Sequence, residues 1–168
     1  MKSIWIVAAI GVLLLGGTYF YMQQTPEREN NPDTWSSYTD DIQGISFRYP
    51  ELDTSYMHAM EWPPIPTVRE GSFRCESIGD GAAKTEERTI GERTYCIRSV
   101  TQGAAGSIYT EYTYETAIDN KIIAFAFTIK SVQCVNYENP QRSACENERA
   151  TFDLNAVMND IVSTIQLK

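Results

Sequence analysis

Residues 3–22 (SIWIVAAIGVLLLGGTYFYM) carry no charge over 20 consecutive positions. At a helical rise of about 1.5 Å per residue, such a run is long enough to cross a hydrocarbon layer about 30 Å thick. Trp5 falls near one end and Tyr19, Phe20 and Tyr21 at the other, which places amphipathic rings at both interfaces. A cleaved secretory signal has a shorter apolar region, about 7 to 15 residues, ending in a small-x-small site. Here the best such site, Gly16-Gly17-Thr18, runs on into aromatics. The sequence therefore predicts a retained signal anchor over residues 1–22, with the lipid bilayer as its partner through residues 3–22. No cysteine lies nearby for lipid attachment, and Gly11, Gly16 and Gly17 lack the small-xxx-small spacing of helix dimers.

The flanks and the cysteines set orientation. Lys2 and the amino terminus precede the span, whereas Glu27, Arg28 and Glu29 follow it and nearly cancel. The positive-inside rule keeps the N-terminus cytoplasmic and sends the remainder across the membrane. All four cysteines, Cys75, Cys96, Cys134 and Cys145, lie on the exported side, and none forms a C-x-x-C motif. An even set of this kind fits disulfides made in an oxidising compartment. Four cysteines allow three pairings. Cys134 and Cys145 bracket VNYENPQRSA, whose Asn-Pro and polar residues suit a closed turn region, which favours that pair and leaves Cys75 to Cys96 by remainder. Zinc needs clustered ligands, and one histidine without paired cysteines does not supply them.

After the anchor, residues 23–37 (QQTPERENNPDTWSS) are polar, contain Pro26 and Pro32 and show no hydrophobic period, as a spacer does. Residues 38–168 then suffice for one domain. In GISFRYP, Ile45, Phe47 and Tyr49 alternate with Ser46 and Arg48 and stop at Pro50, the pattern of a strand. Residues 51–67 have no clear period. Further strands are expected around 72–78, 93–100, 108–116 and 121–132, with turns at 79–81, at 103–106 and at Asp119-Asn120, both of which tolerate positive φ. The period changes from Thr151. With Thr151 as N-cap and Asp153 in the first turn, Leu154, Val157, Met158, Ile161 and Ile165 form a helical stripe. The expected class is α+β: an N-terminal transmembrane helix, then an antiparallel sheet with a C-terminal helix packed on it.

The single anchor, polar spacer, GISFRYP opening, TYC and GAAGSIY segments and closing FDLNAVMNDIVSTIQ helix together resemble exported, single-anchor bacterial membrane proteins. More distantly, the opening strand and closing helix are similar in style to PsbP/Mog1-like domains. That resemblance implies a compact sandwich of helices around an antiparallel sheet and an accessory or assembly role rather than catalysis.

Chemistry-bearing residues are few. His58 is the only histidine, and no nucleophile motif accompanies it. Glu111 and Glu115 share a strand face with Tyr109 and Thr113, as paired acids beside aromatic rings would in a glycosidase. Alternation alone also explains them as a solvated face, with Ile108, Tyr112 and Tyr114 turned inward. QGAAGS lacks the lysine and spacing of a phosphate loop and suits a hairpin end. Trp62-Pro63-Pro64-Ile65-Pro66 is either a rigid surface offered to a protein partner or a loop that blocks a sheet edge. The net charge is -8, from 22 acidic and 14 basic residues without basic runs, which argues against nucleic acid. The expectation is thus a membrane-anchored extracytoplasmic binding, accessory or scaffolding module with an envelope protein as possible partner. It is expected to have no catalytic, cofactor-binding or metal-binding residues. A small carboxylate-based, glycan-directed surface hydrolase is the alternative.

Overall fold

The computed structural model describes residues 34–168; the expected anchor and most of the expected spacer lie outside them. Among the described residues no helix is long and apolar enough to cross a membrane. The domain is an antiparallel seven-stranded sheet and a three-stranded sheet, with two C-terminal helices, an α+β arrangement. The strands are β1 (Ser36–Asp40), β2 (Ile45–Tyr49), β3 (Met57–Met60), β4 (Pro66–Glu70), β5 (Ile78–Asp80), β6 (Ala83–Ile90), β7 (Arg93–Ala104), β8 (Ser107–Ile118), β9 (Lys121–Val132) and β10 (Gln166–Leu167). The helices are α1 (Gln141–Thr151) and α2 (Leu154–Ser163).

The long sheet runs β3-β9-β8-β7-β6-β5, and β4 also pairs with β9. Its centre is the β7-β8-β9 meander. Two-residue turns connect these strands, and Asp119 and Asn120 adopt positive φ of 48° and 62°, as two-residue hairpins require. The β7–β8 turn is Ala105-Gly106 only, so the glycine-rich stretch is shorter as a turn than the sequence suggests. One face of this sheet, here the inner face, carries Tyr95, Ile97, Tyr114, Ile123, Phe125, Phe127 and Ile129. Onto it pack Val157, Met158, Ile161 and Val162 of α2, together with Ile45 and Phe47 of the small sheet β1-β2-β10. Phe47 meets Phe125 edge-on at 5.3 Å. Two hydrogen bonds key the helix to the strands: Tyr95 OH donates to Asn159 Oδ1 at 3.0 Å, and Tyr114 OH to Asn155 Oδ1 at 2.7 Å. These asparagines are four residues apart, on one side of α2.

Several expectations need correction. Strand β1 begins inside the expected spacer, and Trp35 packs against the core, because Ser36 and Ser37 pair with Tyr49 and Arg48. The C-terminal segment forms two helices rather than one. Thr151 ends α1, and Asp153 is the N-cap of α2, its carboxylate accepting from the Ala156 amide at 3.1 Å. Residues 141–144, expected in a loop, begin α1, so Cys145 sits on a helix.

The largest correction concerns residues 71–77, which form no strand. β4 borders β9 at one side of the sheet, and β5 lies at the opposite edge. The connection must therefore cross about five strand spacings, roughly 24 Å. From Glu70 to Ile78 an extended chain reaches at most about 29 Å. The segment is drawn nearly straight over the outer face, with no slack to pair. Cys75 is bonded to Cys96 of β7 partway across. Cys96 lies between the inward Tyr95 and Ile97, so alternation turns it outward, toward this strap. Ile122 is on the outer face yet fully buried, beside Gly71 where the strap begins.

Candidate functional site

Strand β6 was not anticipated, since AKTEERTI shows no apolar face. Its register with β7 sets Lys84, Glu86 and Arg88 opposite Ser99, Ile97 and Tyr95, which directs three charged side chains toward the inner side of the sheet. β7 adds Ile97 and Ser99 there, and β8 adds Tyr112 and Tyr114. The facing wall is the corner between the helices, Ala150 to Asn155. Together they enclose a half-open cavity of about 600 Å³, within the range of about 300 to 1,000 Å³ common for ligand clefts.

The charges in this cavity are paired. Arg88 Nη2 donates to Glu86 Oε1 at 2.6 Å, and Lys84 pairs with the other Glu86 oxygen. The Lys84 hydrogen bond, with the positive charges of Arg88 and Lys84 adding to it, holds the Glu86 carboxyl below the usual carboxylate range against partial desolvation. Asp153 is engaged at the helix start. Burial pushes the Tyr114 hydroxyl far above its ordinary value and raises that of Tyr112, so both stay protonated near neutrality. The result is a surface of balanced charges and hydroxyls beside an apolar strip of Ile97, Phe152 and Leu154.

The residues singled out from the sequence lie elsewhere and do not converge. His58 is on β3, with Nδ1 3.6 Å from Asp53 Oδ1, and both side chains are exposed. Glu111 is exposed on the outer face of β8, while Glu115 on the same face is engaged by the Arg69 guanidinium. Four strand residues hold the two acids about 13 Å apart along the chain, too far for the ~5 to 9.5 Å that glycoside hydrolysis uses. Tyr109 instead sits beneath the Lys130 ammonium, 6.0 Å from the ring centre.

The proline-rich segment is largely packed. Trp62 Nε1 donates to the Pro50 carbonyl at 2.8 Å, its ring meets Phe127 at 5.4 Å, and Pro64 and Pro66 are fully buried. Ile65 alone turns outward, 69% exposed. Because β3 and β4 both pair with β9, this segment bridges them along its edge and closes the gap, which matches the edge-blocking reading better than a docking surface. In QGAAGS, the Gly106 carbonyl accepts from the Gln133 amide at 3.0 Å, so this loop serves structure.

Cys75 and Cys96 stand at disulfide distance with Cα atoms 5.2 Å apart, as do Cys134 and Cys145 at 5.6 Å. The second pair fastens α1 to the short 3-10 turn, Cys134–Asn136, that follows β9. Near it an open dish of about 450 Å³ is lined by Val135, Arg142, Glu146 and Arg149. Among the described residues no group of three or more His, Cys, Asp or Glu is placed to hold a metal ion. The chain matches no known protein-family model and no curated protein.

Proposed function

We propose that this chain is a membrane-anchored module whose domain lies outside the cytoplasmic face of the bilayer, where it binds or scaffolds envelope components without catalysing a reaction. Residues 3–22 supply the transmembrane helix of this reading, with the N-terminus cytoplasmic. The observation that carries the location is the cysteine arrangement. Every cysteine has a partner at bonding distance, and such bonds persist where thiols are oxidised. The accessory role in this reading comes from the resemblance of the opening strand and closing helix, as sequence segments, to PsbP/Mog1-like domains. The working surface in this reading is the inner-face cavity, since it gathers polar groups from three strands and the helix corner without a nucleophile and base in bonding distance.

A photo-crosslinking residue placed at position 88 or at position 98 in intact membranes tests the proposal. Arg88 borders the cavity, whereas Arg98 is exposed on the outer face. A reproducible adduct from position 88 and none from position 98 is expected. Absence of any adduct from position 88, with turnover of a glycan or ester by the purified chain, would reverse the reading.

A further inference from the structure

We infer that the cavity between β6, β7, β8 and the α1–α2 corner binds an uncharged sugar, an inference that deepens the binding role proposed above and rests on it. The charges lining the cavity form closed sets. Lys84 and Arg88 both pair with Glu86, while Asp153 accepts the Ala156 amide at the positive end of the α2 dipole. Two positive and two negative side chains therefore cancel, in a chain whose net charge is -8. An entering anion attracted by Lys84 and Arg88 also meets the Glu86 carboxylate between them, and an entering cation attracted by Glu86 meets both of its positive partners. Either ion is thus opposed by a like charge within the same cluster, which leaves little net attraction for charge.

A neutral polyol meets no such opposition. A carboxylate has about four lone-pair sites and a guanidinium five N–H donors, so Glu86 can still accept and Arg88 and Lys84 can still donate after pairing with one another. Neighbouring hydroxyls on a ring carry a donor and an acceptor each, the complement of that mixed array. Bonds from neutral hydroxyls to charged partners are also stronger than neutral ones. Ser99 and the half-buried Tyr112 add hydroxyls, and Ile97, Phe152 and Leu154 offer an apolar strip to the C–H face of a pyranose. The competing explanation is that Lys84, Glu86 and Arg88 are inward-pointing charges that keep β6 from pairing with other chains, since β5 covers only Ala83–Thr85 of its edge.

The full-length chain in a sugar-free detergent is titrated calorimetrically with glucose, N-acetylglucosamine and chitobiose, and in parallel with glucuronate and inorganic phosphate. Binding of at least one neutral sugar is expected, with an affinity unchanged between about 0.1 and 1 M salt, across which the Debye length falls from ~10 to ~3 Å. Arg88→Met and Glu86→Gln should each weaken it about tenfold, the loss of one charge-assisted hydrogen bond. Arg98→Met on the outer face should leave it unchanged, and melting curves confirm that each variant is folded. The inference is overturned if no neutral sugar binds, if glucuronate or phosphate binds more tightly with a strong salt dependence, or if Arg88→Met keeps the affinity and instead drives self-association. Hydrolysis of the bound sugar would refute the non-catalytic role and leave the site standing. A crosslink from position 88 without sugar binding would do the opposite.

Discussion

On its inner face the long sheet is closed by side chains, and on its outer face by a covalent strap. Inside, α2 and the small sheet bury Ile45, Phe47, Tyr95, Tyr114, Phe125, Met158 and Ile161 to 2% exposure or less, so apolar area removed from water holds the layers together. Outside, Thr, Glu, Arg and Lys alternate with small alanines and few large apolar side chains, which give the crossing segment little to adhere to. Phe73 is its one large apolar residue, half-buried. Where burial is unavailable a disulfide takes its place, acting chiefly by restricting the unfolded chain. The two halves of the molecule should therefore respond to different perturbations.

The largest effect is expected from the inner face. Phe125→Ala should destabilise the domain by about 3 to 5 kcal/mol, measured by urea unfolding, whereas Thr113→Ala on the outer face should stay within about 0.5 kcal/mol. Similar values at the two sites would erase the distinction. Next comes the strap. Cys75→Ser with Cys96→Ser should cost about 2 to 4 kcal/mol, and limited proteolysis should then cut within residues 71–77 while the inner core stays resistant. Cutting elsewhere first would show that the strap is not what the bond retains.

A smaller effect concerns the tyrosines that key α2 to the sheet. Burial raises Tyr95 to about 12 and Tyr114 further, so the folded state keeps protons that the unfolded state releases above its ordinary value near 10. Stability contributed this way is intact below pH 10 and falls as pH rises through 10 to 12. Tyr114→Phe should cost about 1 kcal/mol at neutral pH, since Asn155 loses its donor, and should flatten that alkaline decline. A decline of unchanged slope would mean that Tyr114 does not titrate as described. Smallest of all, Arg69→Ala should cost no more than about 1 kcal/mol, because its pair with Glu115 is a surface one.

Strong periods made most of the meander legible. Residues 121–132 alternate cleanly, and Asp119-Asn120 marks its turn, so both could be placed without a structure. The α2 stripe was equally clear, yet its start was misplaced because Thr151 and Asp153 are both good caps, and Thr151 is used by α1. Strand β6 escaped because its inward residues are Lys84, Glu86 and Arg88, and a charged inner face mimics a loop. The same feature hid the cavity. Charges at i, i+2 and i+4 (Lys84, Glu86, Arg88), interrupted only by Glu87 and set just before a strong strand, are the available signal. Residues 72–77 read as part of a strand in sequence because their composition does not reveal that they must span the sheet, a consequence of topology alone.

In the proposed function, an anchor over residues 3–22 carries the cysteine-bearing domain across the membrane. A reporter that is active only outside the cytoplasm, fused after Lys168, measures this directly. Full activity, recovered in the membrane fraction on an uncleaved chain, is the predicted result. An inactive reporter on an intact, membrane-bound chain would contradict it.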